Sequence, residues 1–466
     1  MSNRYFILIC AAVAALVFLI ARALNNDYLF FAGYVILQFI VLATAWNILG
    51  GYCGYVNFGS AGFFAVGAYT SVALHKLPDL IERNFADEAW ATPLMAILPL
   101  PVPVLIVVAG AIAGLIGFGT GYLTLRLRGV FFAIATLALA VVLQTLVINW
   151  AYVGGSRGAY VIPPNSVPFI GTYIQYLFLL MLILVVVSLA VARGIERSQL
   201  GYGFATIRDD ELAAEASGVP TLKLKLIATT VSGALMGMSG APFPYYIGYL
   251  EPASAFGLAY AVNSIAMPMI GGTTSWVGPL IGAILLGTLQ QAATVMISSA
   301  VNLLIVGLLL VFFVIIAPNG IVGLVQEFLR AAAPARLDAR ALIVLTIAMY
   351  GFIAGFFGIV LGLAAAVSAA TLIAGIGIFT LILAIMNLSA SYGLLKLEHR
   401  SPLLATVTFA LWIPLAALHL WIDPTIGNIA LQSFVVVSAA AIVWYLQRAD
   451  VAQLYRALAS EERAAT

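Results

Sequence analysis

The sequence predicts an all-α fold, a polytopic transmembrane helical bundle of roughly ten segments followed by about four more near the C-terminus. Three observations carry this. The 466 residues are 64% hydrophobic and only 8% charged, with a mean hydropathy of +1.11, whereas a soluble domain carries roughly 25% charged residues. Apolar runs of the ~20 residues needed to cross ~30 Å of hydrocarbon recur along the whole chain. The basic residues collect in alternate loops, as the positive-inside rule requires.

Taken in order, the apolar segments lie near residues 5–23, 29–49, 55–75, 94–124, 129–150, 168–192, 225–247, 256–274, 278–298 and 300–317. A second group follows near 340–363, 365–388, 402–422 and 427–447. The third and eighth segments read either as spans or as re-entrant pieces. The first, which follows Arg4, reads as an uncleaved span because a second long span comes at once. Placing the polar loop 193–225 inside also places inside Arg4, the Arg126/Arg128 turn, Arg330/Arg336/Arg340, Lys396/Arg400 and Arg448/Arg456/Arg463. Arg22, Lys76, Arg83 and Arg157 fall outside, and the outer loop 76–91 is net acidic. Both termini are therefore expected to be cytoplasmic. This predicts a permease-like domain over 1–320, a cytoplasmic linker over 321–339, an accessory four-helix extension over 340–447 and a cytoplasmic tail over 448–466. Trp412, Trp421 and Trp444 sit near span ends as interface anchors.

Several function classes drop out. A net charge of +2 leaves no footprint for nucleic acid. The two cysteines, Cys10 and Cys53, make no disulfide framework and no metal spacing. No GxxxxGKS/T motif is present, so no P-loop ATPase is expected within the chain. The spans hold almost no Asp, Glu, Lys or Arg, whereas a proton-coupled carrier buries an ionisable group and a voltage sensor needs a row of arginines. No catalytic cluster appears.

The longest polar interval, Arg193 to Lys225, holds five basic and five acidic residues. Within it, Glu211 to Gly218 reads as one short helix. Thr206 and Asp209 have the spacing of a capping box. Leu212, Ala213 and Ala216 share a face, and Gly218 with Pro220 supplies a stop. Small side chains around a Leu knob suit docking onto a soluble partner. An ordinary solvated helical loop has the same composition. Two glycine-broken stretches, Gly50 to Gly67 and Gly271 to Gly287, resemble the paired interruptions of a transport pathway. Tight helix packing explains single glycines equally well. Asn57, Ser60 and Asn263 are polar groups at membrane depth and must be paired or face a cavity, which makes them candidate pathway-lining residues.

Five strings extend over most of residues 30–320: WNILGGYCGYVNFGSAGFFAVGAY (46–69), RLRGVFFAIATLALA (126–140), SQLGYGFATIRDDELAAEASGVPTLKLKLIATTVSGALMGMSGA (198–241), YYIGYLEP (245–252) and IGGTTSWVGPLIGA (270–283). As an ordered set they resemble the membrane permeases of branched-chain amino acid ABC importers, a group that includes urea and short-chain amide importers. The resemblance implies that Glu211, Ala213, Ala214, Glu215, Ala216 and Gly218 form the coupling helix seated in a groove of a separate ATPase. It also implies the partners: a second homologous permease, two cytosolic ABC ATPases and an extracytoplasmic solute-binding protein, around a multi-pass subunit in the bacterial inner membrane. ATP is bound by those partners, with no cofactor in this chain. The solute is expected to be a branched-chain or other hydrophobic amino acid, or alternatively urea or a short amide. A stand-alone channel or secondary carrier is the rival from another class. Two positions depart from the family's pattern: Ser60 stands where a His is expected, and Pro268 interrupts a β-branched run, where it predicts a kink. Residues 340–466 have no counterpart in that pattern.

Overall fold

A computed structural model describes residues 3–85, 98–124, 127, 129–163, 166–167, 170–296, 307, 319–332, 339–366, 371–396, 400–422, 426–448 and 451. Among them, eleven helices are long and apolar enough to cross a membrane. All of the expected span at 300–317 except Gly307, the Arg126/Arg128 pair and the tail beyond 451 lie outside the described residues. The chain forms two compact units, Met1–Thr288 and Leu289–Thr466.

The first unit begins with α1 (Asn3–Ala23) and α2 (Asp27–Gly50). Asn26 caps α2, its Oδ1 accepting from the Tyr28 N–H at 3.0 Å. Next come α3 (Ser60–His75), α4 (Leu77–Phe85), α5 (Val102–Thr124) and α6 (Val130–Ile148). Three two-residue strands follow: β1 (Ala159–Tyr160), β2 (Ser166–Val167) and β3 (Gly171–Thr172). After α7 (Tyr173–Glu196), the polar interval folds as α8 (Gln199–Asp209) and α9 (Glu211–Ala216), leading into α10 (Thr221–Gly240). The unit continues through α11 (Phe243–Ile247), β4 (Tyr249–Leu250), α12 (Pro252–Ala255), α13 (Leu258–Gly271) and α14 (Val277–Met296), whose last turns pass the division between units. β1 pairs antiparallel with β4, and β2 with β3.

α2 and α10 are central, with α10 packed on α5, α3 and α2, and α2 also on α7 and α13. Backbones touch where glycines meet. A Cβ at Gly67 would lie 2.0 Å from the Gly237 carbonyl oxygen, and one at Gly240 would lie 2.0 Å from that of Phe64. α1 instead leaves most of its apolar surface exposed, as a lipid-facing helix does.

The expected segment near 55–75 takes a different form. Residues 51–59 are irregular and the helix starts at Ser60. At 1.5 Å per residue α3 is about 24 Å long, short of a ~30 Å hydrocarbon core. Gly51, Gly54 and Gly59 break up a run that is otherwise apolar enough to read as a span. The eighth segment is α12 plus α13, broken at Phe256–Gly257. Pro268 sits near the end of α13, so the carbonyl that loses its helical donor is that of Ser264.

The second unit holds α15 (Gly320–Ala332), α16 (Ala339–Ala366), α17 (Thr371–Leu395), α18 (Ser401–Ile422) and α19 (Ile426–Leu446). α16 and α17 form a close hairpin in which Gly351, Gly355, Gly358 and Gly362 meet Ser391, Leu388, Ala384 and Leu381. Small residues at helical spacing allow this approach in lipid. Ile376, Leu383 and Leu415 form a core packed by Met386, Leu411 and Trp412. Glu327 on α15 pairs with Lys396 just beyond α17.

Candidate functional site

The short helix α9 is stopped at both ends by its own chain. Its N-cap is Asp210, whose Oδ1 accepts from the N–H groups of Leu212 (2.9 Å) and Ala213 (3.1 Å). This corrects the capping box expected at Thr206 and Asp209. Both residues belong to the preceding helix α8, where the Thr206 hydroxyl donates to the Gly203 carbonyl instead. At the other end Gly218 has φ +83°, the left-handed conformation open to glycine. Val219 N–H donates to the Ala214 carbonyl and Gly218 N–H to that of Glu215, the paired bonds of a Schellman stop. Ala214 is buried beneath α9. Leu212, Ala213, Glu215, Ala216 and Gly218 are exposed, and Leu212 is 63% exposed. The helix thus shows small side chains and one Leu on its open side.

Glu211 points the other way. Its Oε1 accepts from Lys225 Nζ at 2.6 Å, with the two side chains 13% and 4% exposed respectively. Its Oε2 accepts from the Tyr55 hydroxyl. Lys225 Nζ also donates to that hydroxyl at 3.2 Å and lies 4.9 Å from the Tyr55 ring centroid. A cleft of about 530 Å³ runs beside this cluster, between residues 53–58, the start of α6 and Ile207–Glu211. Glu215, also on α9, accepts from the Thr221 hydroxyl at 2.8 Å.

A second carboxylate ties the two glycine-broken stretches together. Glu196, ending α7, accepts from the Tyr52 hydroxyl (3.4 Å) and from the Trp276 backbone N–H (2.9 Å). One turn earlier, the buried Arg193 guanidinium lies 4.0 Å from the Phe6 ring centroid and 5.9 Å from that of Trp276, within cation–π range. In the second stretch a Cβ at Gly282 would lie 1.8 Å from the Met267 carbonyl oxygen, so α13 and α14 meet backbone to backbone.

The pathway candidates sit deeper. Asn57 is 1% exposed, and its Oδ1 accepts from the Gly59 N–H at 2.7 Å. Its carbonyl accepts from Trp46 Nε1 at 2.8 Å. The Phe58 N–H donates to Thr136 Oγ1 on α6 at 3.1 Å. Ser60 and Ser264, each at most 1% exposed, share a hydrogen bond of 2.8 Å between α3 and α13. Asn263, beside Ser264, is half-buried. Asn57 and Ser60 are thus both buried, Asn57 bonded to Gly59 and to Trp46 of α2, and Ser60 to Ser264 of α13. Sequence reasoning missed Tyr52, Tyr55, Glu196, Lys225 and Ser264. The available signal was two charged residues placed at the edges of apolar runs, where each needs a partner.

Residues 28–314, more than half of the chain, match the family model described as branched-chain amino acid transport system / permease component. The chain is 28% identical over 317 residues to the high-affinity branched-chain amino acid transport system permease protein LivM of Escherichia coli K12, covering 63% of this chain and 69% of the relative. Identity to the LivM of Salmonella typhimurium is 27% over the same shares. Identity to the probable branched-chain amino acid transport permease protein LivH of Methanocaldococcus jannaschii is 25%, covering 57% of this chain and 82% of the relative. No solved structure matches. The chain belongs to the family of branched-chain amino acid transport permease components, and it is a multi-pass membrane protein.

Proposed function

We propose that this chain is one of two related permease subunits of a bacterial ABC importer that carries a branched-chain or similar hydrophobic amino acid inward. Two cytosolic ATPases bind the nucleotide, and an extracytoplasmic solute-binding protein delivers the solute. The subunit lies in the inner membrane with both termini cytoplasmic, and residues 340–447 form an accessory bundle outside the transport core. The observation that carries this reading is α9: a helix closed by its own caps, showing small side chains outward and fixed by a buried ion pair inward. ATP-driven closure of the ATPases shifts α9 as a rigid body and switches the pathway between its two openings.

Asn57, Ser60 and Asn263 line the solute path once α3 and α13 part at the Ser60–Ser264 contact. The sparse fixed charge around them suits a neutral or zwitterionic solute.

Ala213→Arg tests the docking. Ala213 is exposed and lies within regular helix, so a long charged side chain there blocks a groove without disturbing the fold. Membrane insertion is expected to be unchanged, while ATPase co-purification and solute uptake are lost. ATPases that still co-purify with this variant would refute the docking role. The chain reconstituted alone is expected to give no uptake, and robust flux without an ATPase would favour the stand-alone carrier.

A further inference from the structure

The polar cluster beneath α9 joins that helix to the irregular stretch that precedes α3. Glu211 opens α9 and spends both carboxylate oxygens inward, one on Lys225 and one on Tyr55. Lys225 stands on α10, the helix packed against α3 and α5. Tyr55 stands in the irregular stretch, with its ring edge-on to Phe132 of α6 at 5.0 Å between centroids. Five residues later Ser60 bonds Ser264 of α13. The route from an exposed helix to a buried helix–helix contact therefore runs through one carboxylate, one ammonium group, one phenol and five residues of chain.

Stability alone does not call for these groups. A buried ion pair gives up its hydration, and a well-packed apolar pair in the same place is commonly as stable or more so. What apolar groups lack is direction. Two oxygens of one carboxylate, each holding a donor from a different element, fix position and orientation together.

We propose that Tyr55 and Lys225 are positioning residues that grip Glu211 and convert displacement of α9 into displacement of the irregular stretch 51–59 and of α3. They touch neither solute nor nucleotide. Without them α9 still docks, the ATPases still turn over, and the stroke is dissipated before it reaches the Ser60–Ser264 contact. This rests on the docking role of α9.

The test uses the whole importer in proteoliposomes. ATP hydrolysis and solute uptake are measured together, giving solute moved per ATP hydrolysed. Tyr55→Phe removes the hydroxyl and keeps the ring against Phe132. The double variant Tyr55→Phe with Lys225→Met removes both donors to Glu211 and leaves α9 itself unsubstituted. Both complexes are expected to assemble with their ATPases and to retain hydrolysis, while solute per ATP falls at least tenfold in the double variant and severalfold in Tyr55→Phe. Lys225→Arg alone, which keeps charge and donors, is expected to stay closer to the unsubstituted importer than the double variant does. An assembled double variant with an unchanged ratio would overturn the proposal and leave docking intact. A full importer that assembles normally with α9 deleted would overturn both.

Discussion

Gly67 on α3 packs against the backbone of α10, and its replacement by Ala isolates the contact between the interrupted segment and the central helix. A Cβ there would lie 2.0 Å from the Gly237 carbonyl oxygen, against an ordinary contact of at least 3.4 Å, so the two backbones must part by about 1.4 Å. No flexible side chain absorbs the shift, because all three nearest atoms belong to the Gly237 backbone. Overpacking of this kind costs about 1–3 kcal/mol, or more where backbone must move. Opposing it is the gain of about 1 kcal/mol from replacing Gly by Ala inside a helix. Gly119 on α5 separates the two effects, since a Cβ there meets nothing within 4 Å. Gly67→Ala is expected to lower the apparent melting temperature of the detergent-solubilised protein by several degrees, and Gly119→Ala to leave it unchanged or raise it. Equal melting temperatures for the two variants would refute the close α3–α10 packing.

Two further outcomes follow from exposure. In the second unit, the Lys396 ammonium hydrogen-bonded to Glu327 holds that carboxyl below its ordinary range of about 4.5. Its contribution is therefore present above the unfolded value and lost as pH falls through the lowered one. Both side chains are about 40% exposed, so Glu327→Gln is expected to change stability at neutral pH by less than about 1 kcal/mol. The difference should shrink further in high salt or as pH falls below the carboxyl's ordinary value, as thermal melts across pH would record. Cys53 is 0% exposed and is expected to resist N-ethylmaleimide in the native protein yet react after denaturation in SDS. Native labelling read by mass spectrometry would contradict the packing of the 51–59 stretch.

Most of the crossing helices were legible because hydropathy over 20 residues is a strong signal, and the stop at Gly218 was legible because a left-handed residue before a proline-containing turn has a short-range signature. The N-cap was not. Thr206 and Asp209 have the right spacing, but α8 extends to Asp209, and Asp210 alone is left with the extended backbone a cap requires. The break at 51–59 was legible in part, from its glycines and the re-entrant reading of the third segment, but what holds it was not. Tyr52, Cys53, Tyr55, Val56 and Phe58 keep the stretch apolar, and the side-chain partners that hold it come from distant parts of the chain. The partners of Ser60 and Tyr55 lie 204 and 156 residues away, beyond any spacing rule.

Nearby partners for its backbone explain why an irregular stretch is tolerated beside a bilayer, where an unpaired backbone group costs several kcal/mol. The N–H groups of Gly51 and Tyr52 both reach the Asn47 carbonyl, and that of Tyr55 reaches Leu49. The Phe58 N–H finds Thr136 and the Gly59 N–H finds Asn57, while the Asn57 carbonyl receives Trp46. The donors and acceptors come from α2, from α6 and from the stretch itself, so the break is built into the fold rather than imposed by a ligand. Glu196 and Glu211 then hold Tyr52 and Tyr55, one from just before α8 and one from the start of α9. The stretch thus has five backbone N–H groups bonded to α2, to α6 or to the stretch itself, at Gly51, Tyr52, Tyr55, Phe58 and Gly59, and two tyrosines held by separate carboxylates. Under the function proposed above, such a stretch is what would join a docking helix to a solute path.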